Sequence, residues 1–208
     1  MRDEVLAFKR ERILEEARDL IFERGYQGAT LDAVAERLNV GKPFIYAHFE
    51  NKAELLVEIC QRGTKYSLAA VDEALRQPGT PTEKLLHMTR NFTRAVYEHR
   101  ANVAIYFREE KYLPPEAARR IDRWRKEFDD KLSTLLEAGV KAGEFRIRDV
   151  RLTTLAIGGM ISWMFTWYRP GGRLSNEELV AGMTDLVLKL VGAEGTSDVT
   201  AKQQPSPA

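Results

Sequence analysis

The sequence predicts an all-α fold in two parts, a small N-terminal helical unit over residues 1–52 and a larger one over 53–192, followed by a tail at 193–208. Three observations carry that expectation. Apolar residues recur at i, i+3, i+4 and i+7 through most of the chain, and no stretch of any length alternates with a period of two. The breaks between periodic stretches are built largely of Gly and Pro, as in "QPGTP", "LPP", "AGEF" and "RPGGRLS". At 208 residues, with 44% hydrophobic and 30% charged side chains, the composition is that of a globular protein able to bury a sizeable core.

Ile13, Ala17, Leu20 and Ile21 define a first helix, closed by Gly25 and Gly28, which can adopt left-handed geometry. Leu31, Val34, Ala35 and Leu38 define a second, short helix. Thr30 is its expected N-cap, and Asp32 suits its positive end. The capping box is incomplete, because Ala33 stands where a Glu would reciprocate. After the turn Asn39-Val40-Gly41, Pro43 fits the first turn of a third helix, and Ile45 and Phe49 face inward against Leu38 and Val40. Asn51 caps a fourth helix running from Lys52 to about Gln77. Further helices are expected at about 82–100, 102–112, 115–142, 149–168 and 175–192. The polar, Pro-containing "GAEGTSDVTAKQQPSPA" predicts a disordered, frayed tail, and no repeat of solenoid period is present.

Several function classes fall away at this stage. A formal net charge of +1 gives no global basic field, so any nucleic-acid contact has to come from locally placed cations. The single Cys60 cannot form an internal disulfide, and it reads as a small buried hydrophobe in a reducing compartment. "MRDEVLAFKRER" lacks the apolar run of a signal peptide, which predicts a cytoplasmic protein. The apolar stretch Leu152–Tyr168 is shorter than the roughly 20 residues of a membrane span and is flanked by Arg151 and Arg169, so no membrane association is expected. Glu109, Glu110, Glu83 and His87 raise the alternative of an enzymatic bundle. Glu83-x-x-x-His87 is one residue too long for a di-iron Glu-x-x-His pair, and His48, His87 and His99 share no constellation. Neither a phosphate-cradling Gly-rich loop nor a nucleophile elbow is present, so no catalysis, metal or cofactor is expected.

The stretch "NVGKPFIYAHFENKAEL" crowds rings and cations onto a short helix. Two short helices joined by a tight turn form a helix-turn-helix, whose second helix lies in the major groove while the flanking helix ends meet phosphates. On that reading Lys42 and Lys52 pair with phosphates, and Tyr46 and His48 bond to backbone oxygens. Pro43, Phe44 and Ala47 then offer apolar surface to thymine methyls. The plainer alternative is that these aromatics pack against the first or fourth helix. "GATLDAVAERLNVGKPFIYAHFENKAELL" closely resembles the DNA-binding domain of TetR-family transcriptional repressors, over roughly residues 10–56. The resemblance implies a homodimer on a palindromic double-stranded operator. It puts Thr30, Lys42, Pro43, Phe44, Tyr46, Ala47 and His48 at the family's DNA-facing positions and Lys52 at its phosphate clamp. Gly41 departs from a common capping Ser, and Phe44 from a small hydroxyl residue. Residues 1–52 hold nine Lys/Arg against ten Asp/Glu, so the acidic residues of the first helix have to face away from a duplex.

The larger unit is expected to bind an effector and to dimerise. The helix at 149–168 is apolar nearly all round, with Leu155, Ala156, Met160, Trp163 and Trp167 on one side and Ile157, Ile161, Phe165 and Tyr168 on the other. A single core covers one side, so the other calls for a partner. The predicted dimer interface is Ile157, Gly158, Ile161 and Phe165 with Leu179, Met183, Leu186, Val187 and Leu190 of the last helix. Rings and thioethers are also in surplus, including Phe107 and Tyr112. Tyr106, Trp124, Phe128, Met160, Trp163, Met164, Trp167 and Arg169 are therefore candidates to line a cavity for a small hydrophobic ligand, against the alternative of a well-filled core. "YFREEKYLPPEAARRI" and "WMFTWYRPGGRLSNEEL" resemble the TetR branch that senses acyl-CoA thioesters, which implies an acyl-CoA effector. Arg119, Arg123, Lys126, Arg169 and Arg173 either meet CoA phosphates or form a solvated face paired with Glu116, Asp122 and Glu127. The function expected from all this is a ligand-responsive transcriptional repressor. The alternative is a helical protein that binds a hydrophobic ligand without sequence-specific DNA binding.

Overall fold

In the computed structural model, which describes the backbone of residues 2–193 and the side chains of 4–193, the Gly- and Pro-rich breaks fall between helices. The described residues form α1 (Arg2–Gly28), α2 (Leu31–Leu38), α3 (Lys42–Tyr46), α4 (Lys52–Arg76), α5 (Pro81–Glu98), α6 (Arg100–Glu109), α7 (Pro115–Lys141), α8 (Val150–Ser162) and α9 (Asn176–Leu190). Short 3-10 turns follow α6 at Glu110–Tyr112 and α8 at Trp163–Thr166. The predicted tail lies, from residue 194 on, outside the described residues.

Local chemistry explains the boundaries. Thr30 Oγ1 accepts from the Ala33 amide at 3.0 Å and opens α2, and Asn39 closes it in the left-handed region with φ 53. Asn51 Oδ1 accepts from the Glu54 amide at 3.0 Å and opens α4. Full capping boxes open α5 (Thr80 with Glu83) and α9 (Ser175 with Glu178), each satisfying two otherwise orphaned amides. Gly25, with φ 73, kinks α1 near its end.

Two cores result. The first joins Ile13, Leu20, Ile45, Phe49, Leu56 and Ile59 from α1 to α4 and also takes in Ile105 of α6 and Ile121 of α7. The second joins Val71, Leu85, Phe92, Leu132, Ile161 and Val187 from α4, α5, α7, α8 and α9. α4 therefore serves both: its Leu55 and Leu56 belong to the first core, and its Ala70, Val71 and Ala74 to the second.

The structure corrects the expected single helix at 149–168. Regular α geometry stops at Ser162, and a 3-10 turn carries Trp163–Thr166. The tighter winding turns Met164, Phe165 and Tyr168 inward together while Trp163 and Trp167 stay about half exposed. It also corrects the predicted interface. Ile157, Ile161, Phe165, Leu179, Met183 and Val187 are all buried within this chain's own core, and only Leu186 and Leu190 of the predicted apolar side chains are exposed. The open face of α8 is the opposite one, formed by Leu152, Leu155, Gly159 and Trp163.

Candidate nucleic-acid interface and effector cavity

α3 is only five residues long, too short to hold its shape alone, so its orientation depends on what pins it. Ile45 and Phe49 are fully buried beneath it. Arg10, reaching from α1, donates to the His48 carbonyl at its carboxyl end and to Glu54 of α4 at 2.9 Å, and also pairs with Glu58. The same guanidinium lies 3.9 Å over the Phe49 ring. α3 is thus clamped between α1 and α4 from below and at one end.

Above the clamp, Lys42, Pro43, Tyr46 and Ala47 are exposed, as is Thr30 at the start of α2. Tyr46 leaves 52% of its surface in solvent although it adjoins a buried Ile. Phe44 and His48 are half-buried and meet edge to face at 5.3 Å, with the Lys9 ammonium 5.7 Å from the Phe44 ring. Lys42 pairs with Asp32 at 2.7 Å, and that hydrogen bond raises its pKa, so it stays a cation. Lys52 takes a different position from a freely extended cation. Its ammonium donates to the Tyr26 carbonyl at 2.8 Å and sits 4.3 Å over the Tyr26 ring, tying α4 to the negative end of α1. The acidic residues of α1 are engaged elsewhere: Glu11 with Arg62 of α4, and Glu16 and Glu23 with Arg37 of α2.

The larger unit holds a cavity of about 250 Å³ between α4, α5, α6, α7 and α8. Phe92, Val96, Val103, Phe107 and Phe128 give it an apolar lining, Gly63, Gly158 and Gly159 bring backbone close, and Thr64, Ser67 and Ser162 add hydroxyls. Of the predicted ligand residues the structure brings Tyr106, Phe128 and Trp163 to this wall. Met164 is instead fully buried in the core and Met160 packs against it, while Trp124 packs against the first core under the Lys65 ammonium at 5.2 Å. Trp167 faces solvent, and Arg169 turns back on the carbonyls of Thr166 at 2.9 Å and Tyr168 at 3.0 Å. Arg119, Arg123, Lys126 and Arg173 are exposed and away from the lining.

The two charged lining residues, Arg125 and Asp129 of α7, were not singled out in the sequence. Arg125 donates to the Tyr106 hydroxyl at 3.0 Å. Burial pushes the Asp129 carboxyl above its ordinary range, against the pull of Arg151 and Arg125. Both flank the buried stripe Ile121, Phe128 and Leu132, and that edge position was the available signal. Cys60 is fully buried, and burial pushes its thiol up to about 12. Among the described residues there is no group of His, Cys, Asp or Glu able to hold a metal, and no helix is long and apolar enough to cross a membrane.

α6 links the cavity to α1. Its Val103, Tyr106 and Phe107 face the cavity, while Arg108 donates to the Phe22 carbonyl of α1 at 3.1 Å. Just beyond α6, the Tyr112 hydroxyl accepts from Gln27 at 2.9 Å, and its ring packs 5.0 Å from that of Tyr26.

Comparison with known proteins matches the chain in two stretches. Residues 13–59 match the family described as "Bacterial regulatory proteins, tetR family", and residues 78–191 match "Tetracyclin repressor-like, C-terminal domain". The HTH-type transcriptional repressor KstR2 of Rhodococcus jostii is 29% identical over 86% of this chain and 89% of its own. The solved TetR-family regulator PfmR from Thermus thermophilus is 33% identical, superposes with a TM-score of 0.79, and covers 86% of this chain and 97% of its own. AibR, solved in complex with isovaleryl coenzyme A and operator DNA, is 28% identical with a TM-score of 0.75, covering 86% and 97%.

Proposed function

The chain belongs to the TetR family of bacterial transcriptional regulators, and from that premise we propose that it is a homodimeric repressor released from a palindromic operator by an acyl thioester bound in the cavity. The observation that carries the reading is the exposed row of α3, clamped from below and placed on the same α1 that α6 grips beside the cavity. DNA covers Tyr46 and its neighbours in the bound state. Lys42 exchanges Asp32 for a phosphate, and Thr30 and His48 fix the register. Lys52 acts by holding α1 against α4, so that a phosphate reaches it only at the helix junction.

The second copy sits on the open face of α8 and α9. Leu152, Leu155 and Trp163 form an apolar stripe there with Leu186 and Leu190. A Cβ added at Gly159 or Gly182 would meet nothing within 4 Å, so a partner backbone has room to approach. Leu155, Gly159 and Trp163 also line the cavity, so a ligand that displaces them acts on the dimer seam and on α6 at once. A coupling of roughly 1–3 kcal/mol, usual for such linkage, lowers operator occupancy by about 5- to 150-fold.

The effector class is supported by AibR, whose structure contains isovaleryl coenzyme A, and by the apolar lining. The test is a selection of duplexes from random sequence, followed by gel shifts of the selected operator challenged with a panel of acyl-CoAs and the matching free acids. Release by thioesters at micromolar concentration, and not by the acids, is the expected result. Failure to select any duplex would overturn the repressor assignment in favour of a ligand-binding protein without sequence-specific DNA contacts.

A further inference from the structure

The cavity is apolar on most sides but not on all. Arg125 and Asp129 lie one turn apart on α7, about 6 Å along the helix axis, and both reach its wall. No hydrogen bond joins them, and Arg125 acts on Asp129 only through space. Arg125 spends one N–H on the Tyr106 hydroxyl at 3.0 Å, which leaves others in its planar fork. Asp129 has only 23% of its side chain exposed, and its charge partner Arg151 stands 3.8 Å away, beyond hydrogen-bond distance. Among the described residues no hydrogen bond reaches the Asp129 carboxylate. The carboxylate is therefore open to a donor from the cavity, and its burial raises its pKa.

Those two groups set the chemistry of what lies between them. A ligand carboxylate attracted by Arg125 is repelled by Asp129, and a ligand ammonium meets the reverse. A neutral group with a donor on one side and an acceptor on the other satisfies both. A trans amide has that form, its N–H and C=O pointing in opposite directions from one plane. Size adds a second limit. An apolar cavity of about 150 Å³ takes benzene, with its six non-hydrogen atoms, so one of about 250 Å³ holds on the order of ten, enough for a short acyl group and the arm up to its first amide.

We infer that the cavity takes a short or compact acyl group, with Arg125 and Asp129 together recognising an amide in the carrier arm of its thioester. The inference rests on the acyl-thioester reading above and narrows it. Arg125 donates to the amide carbonyl, and Asp129 accepts from the amide N–H. The acyl chain then lies against Phe92, Val96 and Phe128. Long-chain acyl groups, with more than about twice the permitted atoms, do not fit without opening the core.

Calorimetry on the full-length protein tests this with four probes. Isovaleryl-CoA is compared with palmitoyl-CoA, and the isovaleryl thioester of N-acetylcysteamine, which has one amide and no phosphate, with the S-pentyl thioester of equal length. The wild-type protein is expected to prefer the amide-bearing thioester by roughly tenfold or more, although the pentyl compound is the more apolar. R125M and D129L are each expected to abolish that preference, and palmitoyl-CoA to bind at least tenfold more weakly than isovaleryl-CoA. Equal or better binding of the pentyl thioester, a preference retained in both variants, or tight palmitoyl-CoA binding overturns the inference while leaving a thioester effector in place. Failure of all four probes to bind overturns the thioester reading and this inference together. The wild-type comparison stands without the variants if either fails to fold.

Discussion

α3 and the end of α8 each present an exposed ring above buried apolar side chains, yet the two surfaces suit different partners. On α3, Tyr46 stands above Ile45 and Phe49, with Lys42, Thr30 and the half-buried His48 around it. On α8 and its 3-10 extension, Trp163 stands beside Leu155 and Leu152, with Gly159 between them. The first surface mixes cations and hydroxyls with apolar atoms on a short, convex turn, which fits a charged groove. The second is apolar and broken by glycine, which fits another helix. An exposed aromatic residue says little by itself; the residues one turn away decide what covers it.

The largest effects come from the layer beneath each surface. Phe49→Ala removes the ring that supports α3 and stacks under Arg10, and is expected to destabilise the protein by about 3–5 kcal/mol. In a chain of this size that lowers the midpoint of a thermal melt by roughly 10 °C. Ile161→Ala, under the open face of α8, is expected to cost about 2–5 kcal/mol for the same reason. A melt unchanged by Ile161→Ala would mean that the buried and open faces of α8 had been exchanged.

Substituting the surfaces themselves separates the partners. Leu186→Arg leaves its own chain's core intact, but a two-fold seam meets the change twice. The expected result is a dimer weakened by at least about a hundredfold in sedimentation, with a folded monomer remaining. Tyr46→Ala is expected to leave both the melt and the dimer unchanged and to weaken the operator complex by roughly tenfold, the scale of one good groove contact. If Tyr46→Ala instead lowered the melting midpoint by several degrees, the ring would belong to the core and not to the duplex.

The same contrast explains what the sequence disclosed. In the head, each feature is set by neighbours a few residues away: Thr30 and Asn51 cap, Pro43 starts α3, and Ile45 and Phe49 share one face. In the larger unit, α8 has apolar residues at Leu152, Leu155, Ile157 and Ile161, so no polar side fixes its phase. Packing against α5, α7 and α9 chose Ile157 and Ile161 for the core, which withdraws them from the interface predicted for them. Arg125 and Asp129 were invisible for a related reason. At the edge of a stripe, a residue facing a cavity and one facing water have the same local sequence, and only the helices across the gap distinguish them.

The smallest effect is also the most specific. Lys42 is exposed and paired with Asp32 in the free protein, so replacing it removes little that holds the fold. At the duplex it meets a phosphate and releases about one counterion, which enters the slope of log affinity against log salt as roughly 0.9 per contact. Lys42→Gln is therefore expected to leave the melt in place, to weaken binding about equally across operator variants, and to flatten that slope by close to one. Lys52→Gln offers the control. Its ammonium already serves the Tyr26 carbonyl, so its loss is expected to shift the melt more than the slope. Gel shifts at several salt concentrations check both, and a steeper change in slope for Lys52 than for Lys42 would assign the phosphate contact to the helix junction instead of the reading helix.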